Sequence, residues 1–312
     1  MPPRSLLLYA LLLFSAAMCL ILLNNKVKNY MMSEGRCNFQ SVDVEFSNQN
    51  NKARGTDCLP PLVKRLKKCL LWSLAPTTAG QFWSSLTPAI EDCCRFLSKT
   101  LPIHTLYNMD DFKFAILPIA GKVKCVTLTI GIGNDIGAEK ELKKLIPNCQ
   151  FIGTDPIVES GKIYDNIGRY LNIAVSDSNG TIEASVLANG TYQSRNVTAQ
   201  NFNDLLVELK EPVIDFLFLD AEGAEYQIMP LLTNERRYLN SVVCQISVEI
   251  HGYSSEYRMN DVDYKAQVLD LIANSSFLPI YGTKAGFNRM YWLNMESPAC
   301  LEKYFADFCD YS

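Results

Sequence analysis

From Lys122 onward, short runs of β-branched and aromatic residues alternate with helical stretches, and this alternation constrains the fold more than any other feature of the chain. Cys125 to Ile130 reads as a buried strand ending in Gly131-Ile132-Gly133. Ala138 to Ile146 follows as a helix, Gln150 to Thr154 as a strand ending at Asp155, and Ile157 to Gly168 as a weaker helix. Tyr170 to Val175 reads as a third strand, followed by a polar hairpin and a helix over Asn201 to Leu209. Val213 to Leu219 is a strand ending at Asp220, Tyr226 to Leu232 begins a helix, and Val242 to Ile250 is a strand running into His251. Tyr264 to Ala273 is helical, and Phe277 to Tyr281 pairs with Arg289 to Leu293 across Gly282 to Gly286. Such alternation predicts an α/β fold, with a doubly wound parallel sheet and helices on both faces. The final hairpin adds an antiparallel strand at its edge.

An open parallel sheet binds ligands beyond the carboxyl ends of its strands, near the point where strand order reverses. Those ends here are Gly131-Ile132-Gly133-Asn134, Asp155, Ala174-Val175-Ser176-Asp177, Asp220 and Glu249-Ile250-His251. Glycine, serine and acids also end strands for purely local reasons; five such ends together favour a binding function. Gly131 and Gly133 let the backbone turn tightly and approach a ligand. Asp155, 22 residues after Gly133 at the end of the next strand, is placed to accept hydrogen bonds from ribose hydroxyls. A dinucleotide site wants a third glycine at residue 136, where the chain has Ile136. That counts modestly against nicotinamide, and a glycine pair with a spaced acid occurs in both dinucleotide and S-adenosylmethionine sites; Gly131, Gly133, Asn134, Asp155, Ala174, Ser176 and Asp220 are the candidates for holding such a cofactor.

The run Asp215-Phe216-Leu217-Phe218-Leu219-Asp220-Ala221-Glu222-Gly223-Ala224-Glu225 resembles the strand-four signature of FkbM-type methyltransferases. So do Asn172 to Gly180 before it and Val248-Glu249-Ile250-His251 after it. With a leading apolar segment, the arrangement is similar to the many nematode members of that family. The resemblance covers residues 105 to 305 and implies a class I methyltransferase fold, S-adenosylmethionine as donor and transfer to oxygen, often on sugars. The chain departs from the pattern at three positions. Thr129 stands where such folds often carry an acid, Asp135 replaces a third glycine, and Phe218 replaces the lysine two before the strand-four Asp.

Ser5 to Leu23 is uncharged and almost wholly apolar, long enough to span a bilayer. It reads as a signal anchor, since the apolar run continues past the small-residue site at Ser15-Ala16-Ala17; a cleaved signal peptide is the alternative. Asn24 to Asp57 is a polar stem, residues 58–104 a small helical cysteine-rich subdomain, and residues 105–312 the methyltransferase-like domain. Within the subdomain, Pro60-Pro61 opens one helical run to Leu74, and Leu86 to Leu97 forms another around Thr87-Pro88. Ten of the eleven cysteines follow the apolar segment, an even number that suits an oxidising compartment. Cys125 and Cys149, on core strands, equally fit buried free thiols. Glycosylation triplets begin at Asn179, Asn189, Asn196 and Asn274. The charge bias flanking the apolar segment points the other way, but cysteines and triplets together place the body in the lumen or outside the cell. A formal charge of −4, with only the Lys64-Arg65-Leu66-Lys67-Lys68 run as a basic cluster, argues against a nucleic-acid partner.

Together these features predict an S-adenosylmethionine-dependent O-methyltransferase of the secretory pathway, acting on a glycan or small hydroxylated acceptor without a metal. His251 is the expected base, Asp220 and Glu222 orient donor or acceptor, and Glu225 serves the start of its helix. Two rivals stay open. One is a glycosyltransferase, for which Asp261-Val262-Asp263 offers a paired-acid motif, though these acids equally serve a helix start. The other is a non-catalytic protein that kept the fold, favoured by Thr129 and Phe218.

Overall fold

The computed structural model describes residues 56–119, 124–188, 190–234, 239–252, 259–285 and 287–311. The apolar segment, nearly all of the stem, Cys19, Cys37 and Asn189 lie outside these. Among the described residues, no helix is long and apolar enough to cross a membrane.

The strands are β1 (Ile103–Tyr107), β2 (Phe112–Ile116), β3 (Val126–Ile130), β4 (Gln150–Thr154), β5 (Arg169–Leu171), β6 (Ala174–Ser176), β7 (Gly180–Ala188), β8 (Thr191–Asn201), β9 (Val213–Leu219), β10 (Val242–Ile250), β11 (Phe277–Ala285) and β12 (Phe287–Asn294). The helices are α1 (Leu59–Leu74), α2 (Ala79–Thr100), α3 (Gly137–Leu145), α4 (Val158–Gly161), α5 (Phe202–Leu209), α6 (Glu225–Ile228), α7 (Asp261–Asn274), α8 (Pro298–Tyr304) and α9 (Phe308–Tyr311).

Seven strands form the main sheet in the order β11-β12-β10-β9-β3-β4-β5. β12 runs antiparallel to both neighbours, and the other pairs are parallel. Strand order reverses between β3 and β9, which places the switch point there. Every residue of β3 is buried, as a central parallel strand requires. The hairpin β7–β8 joins β6 in a separate three-stranded sheet over a small core of Ile157, Ala174, Val186, Val197 and Ala199.

The expected third strand, Tyr170 to Val175, is split. β5 stops at Leu171, where the Asn172 side chain donates to the Asp155 backbone oxygen (3.2 Å), and β6 pairs with β8 instead. The second helix starts at Ala79, two turns earlier than the Thr87-Pro88 signal suggested, and carries Pro88 in its interior. The β1–β2 hairpin has no clear signature in the sequence. It docks through side chains of β10: Phe114 N donates to Ser247 Oγ (3.2 Å), and Ile116 exchanges two bonds with the Gln245 amide, each 2.9 Å.

Four disulfides tie the chain: Cys58–Cys309, Cys69–Cys93, Cys125–Cys149 and Cys244–Cys300. The reading of Cys125 and Cys149 as free thiols is therefore corrected. They sit at the start of β3 and just before β4, adjacent parallel strands whose Cα atoms at this end are 4.6 Å apart. Cys94 is buried and free. Helices α1 and α2 pack on β11 and α7, with Lys67 reaching the Ser275 carbonyl and Glu296, so the helical region shares one compact unit with the sheet.

Candidate active site

The glycine turn after β3 is held by the protein itself. Gly131 (φ 84°) donates to the Thr154 carbonyl at 3.0 Å, and an added Cβ there would fall 1.6 Å from the Asp220 backbone oxygen. Gly131 thus serves the close crossing of the β3 and β9 ends. Gly133 (φ 59°) differs, since a Cβ there would meet nothing within 4 Å. Asp155, buried just past β4, is the hub of this turn. Its Oδ2 accepts from the amides of Ile132 and Gly133, both at 3.2 Å, and its Oδ1 accepts from Ile157 N (2.8 Å) and Ser160 Oγ (3.0 Å). Asn134 (φ 64°) donates its amide to Ser160 O. The start of α3 is likewise capped, by Asp135 on Gly137 N (2.9 Å) and by Asn108 on Ala138 N (2.7 Å). The amides expected to face a ligand are therefore bonded internally. What the turn offers instead is the open space over Gly133.

Ala174 and Ser176 are not at a carboxyl end of the main sheet. They lie on β6, in the smaller sheet, where Ser176 Oγ bonds locally to Ser178. Their expected position rested on an unbroken third strand.

Beyond β9 and β10 the structure gathers Asp220, Glu222, Glu225, Glu249 and His251. The imidazole Nδ1 lies 3.0 Å from Glu225 Oε1; Nε2 lies 3.4 Å from Glu222 Oε1, 3.6 Å from Asp220 Oδ1 and 3.9 Å from Glu249 Oε1. Glu222 reaches the ring from a left-handed backbone (φ 45°), a conformation that costs a non-glycine residue about 1–2 kcal/mol. Glu225, fully buried, also accepts from His251 N (2.9 Å) and Gly223 N (2.8 Å), so it fixes both the ring and the turn. Burial opposes charge on the ring, but the hydrogen bonds and charges of Glu222 and Glu225 outweigh it and push the imidazole up to about 11. A carboxylate stands beside each nitrogen, so in the absence of a further ligand the ring is set to donate from both. Burial, with Asp220's charge, pushes the Glu249 carboxyl up to about 7 against Arg289 and His251.

Near two of the departures from the family pattern, another element supplies a charged side chain. Thr129 donates to Glu139 Oε1 at 2.8 Å, so α3 brings a buried carboxylate to the place where the acid is missing from β3. Phe218 is buried in the core, while Lys113 on β2 brings an ammonium 2.8 Å from Asp111 Oδ2 and 3.9 Å from Asp220 Oδ2. The third departure, Asp135, precedes the N-cap position Ile136 and accepts from the first amide of α3, Gly137 N. At the site's edge, Tyr192 near the tip of the β7–β8 hairpin hydrogen-bonds Glu222 while staying 60% exposed. Asp261 and Asp263 lie in the first turn of α7 after the cap Asn260, whose side chain bonds Asp263, the helix-start use that the sequence also offered. His104 lies on β1 opposite Ala115.

Residues 90–278, more than half of the chain, match the family model described as Methyltransferase FkbM domain. The chain belongs to the FkbM methyltransferase family. No curated protein matches it. Among solved structures it is similar to that titled "Structure of the plantazolicin methyltransferase BpumL in complex with SAH", at 12% identity and a TM-score of 0.28, over 75% of this chain and 98% of that one. The residues missed by sequence reasoning in this FkbM site are Lys113, Glu139 and the central role of Glu225. Only Glu225 had a local signal, its place in the Asp-x-Glu-Gly-x-Glu element.

Proposed function

We propose that the chain is an S-adenosylmethionine-dependent O-methyltransferase of the secretory pathway, acting on a hydroxyl of a glycan or small acceptor. The observation that carries this reading is the carboxylate cluster on His251, set beside open space over Gly133 at the switch point of a methyltransferase-family sheet. We assign that space to the donor, which Gly133, Asn134 and Asp155 would border; when bound it supplies a methyl group on a sulfonium. The acceptor oxygen forms a bond to that methyl as the carbon–sulfur bond breaks, and the hydroxyl proton needs a base. Asp220 suits this role, because its side chain is the most open of the cluster at 29% exposure. His251 holds Asp220 and Glu222 in place, and Tyr192 borders the entrance. Alignment and the base together are what such a transfer requires. The four disulfides suit an oxidising compartment and support the secretory placement.

Calorimetric titration of the full chain with S-adenosylmethionine, followed by transfer of a labelled methyl group onto a panel of hydroxylated glycans, tests the reading. Donor binding with label on oxygen supports it. No binding at millimolar donor, in protein shown to be folded, overturns it in favour of a non-catalytic role.

A further inference from the structure

We propose that Asp220, Glu249 and His251 bind one divalent transition-metal cation, a site that rests on the methyltransferase reading only for its use in holding the acceptor hydroxyl. The three ligand atoms come from the ends of two adjacent parallel strands and all lie within 4.8 Å of one another. His251 Nε2 is 3.6 Å from Asp220 Oδ1 and 3.9 Å from Glu249 Oε1. Metal–ligand bonds of about 2.0–2.2 Å put neighbouring ligands about 3.0–3.5 Å apart, so shifts of a few tenths of an ångström at His251, and of up to about 1.5 Å between the two carboxylates, close the set around an ion.

Three further observations point to a cation. Glu249 is a buried carboxylate, 8% exposed, whose Oε2 lies 2.6 Å from Arg289 Nε and whose Oε1 is turned to the cluster, 3.9 Å from His251 Nε2. Asp111, beside the cluster through Lys113, keeps a buried Oδ1 with no hydrogen bond among the described residues. The charges are unequal as well: among the described residues, Asp111, Asp220, Glu222, Glu225 and Glu249 are set against Lys113, Arg289 and the His251 ring. Buried carboxylates in such excess call for added positive charge.

The donor set selects the ion. One imidazole with two carboxylates suits manganese or zinc, whereas calcium and magnesium prefer oxygen alone. The far side of the ring already has the support of a metal-bound histidine: Nδ1 faces Glu225 Oε1 at 3.0 Å, and that carboxylate is fully buried. Three protein ligands leave coordination positions open, and Asp220 is the ligand that borders solvent. An acceptor hydroxyl seated there would be oriented and made more acidic.

The test uses the full chain, stripped with chelator and titrated with Mn²⁺ alone, free Mn²⁺ being read by electron paramagnetic resonance. One ion should bind per chain. Glu225→Gln should weaken binding roughly tenfold, as loss of an outer-shell partner does, and Glu249→Gln and His251→Ala should weaken it further. Glu91→Gln on the exposed face of α2 should change nothing. Because the chain has only two histidines, unmutated protein gives an independent readout: bound Mn²⁺ should show nitrogen coupling from a single imidazole. Absence of saturable binding, binding indifferent to Glu249→Gln, or bound ion without nitrogen coupling overturns the site. Donor titration in chelator is run in parallel. Metal binding without donor binding would remove the methyltransferase reading and keep the site, and the reverse result would do the opposite.

Discussion

The Lys113 ammonium on β2 stands 3.9 Å from Oδ2 of Asp220 at the end of β9, 107 positions later in the chain (220 − 113). Burial disfavours its charge, yet Asp220, Asp111 and Glu139 together hold it above the usual lysine range. Lys113→Met keeps the apolar stem and removes the charge, leaving those carboxylates uncompensated. We expect a stability loss of about 3–5 kcal/mol, as for removal of one partner from a buried ion pair. Urea unfolding measures it, and a loss below about 1 kcal/mol would show that Asp220 does not depend on Lys113.

The two glycines of the β3 turn should respond differently to the same substitution. Gly131→Ala drives a methyl into the Asp220 carbonyl, and the fold should lose more than about 3 kcal/mol. Gly133→Ala meets nothing within 4 Å, so it should cost only about 1–2 kcal/mol for its left-handed backbone. It fills the space assigned to the donor, so donor affinity should fall by more than this strain accounts for. Unfolding curves paired with calorimetry separate the two, and equal effects on stability would contradict the geometry.

Of the disulfides, Cys58–Cys309 spans 251 residues and Cys69–Cys93 spans 24. Loop-closure entropy predicts that replacing the first pair by serine costs about 5 kcal/mol and the second about 3 kcal/mol. Denaturant unfolding of the two double variants gives the order directly.

The glycosylation triplets are not equivalent. Asn179 Oδ1 accepts from Asn201 N at 2.8 Å, and its Nδ2 donates to Asp204 Oδ2 at 2.5 Å. Asn196 is exposed on β8 across from Glu183. Asn179→Gln should therefore destabilise the fold by about 1–2 kcal/mol, whereas Asn196→Gln should leave stability unchanged. In a secretory host, Asn196→Gln should also remove one glycosidase-sensitive mobility step. Thermal unfolding and gel mobility test the pair.

Local signals made the main sheet legible. The bounds of β4, β9 and β10 follow from apolar runs closed by Asp155, Asp220 and His251, because a fully buried parallel strand must be apolar along its length. The metal-capable set was half visible: Glu249 and His251 were noted as a strand end, but their meeting with Asp220 depends on which strands are neighbours. The β1–β2 hairpin was not legible because its docking relies on Gln245 and Ser247, polar residues whose purpose appears only when β2 lies across them. Lys113 and Glu139 escaped for a related reason. Each charged side chain near an emptied motif position comes from another element, and no spacing rule connects the two.

The bond between Cys58 and Cys309 also determines how the molecule carries mechanical load. It joins the residue just before α1 to the second residue of α9. Tension applied between the chain before residue 58 and the chain after residue 309 passes through two sulfur atoms and bypasses the 250 residues between them (309 − 58 − 1). Pulled from its ends, the oxidised protein should extend only by its outer segments, leaving the sheet and the His251 cluster unloaded. Reduction would place the whole domain in series with the force.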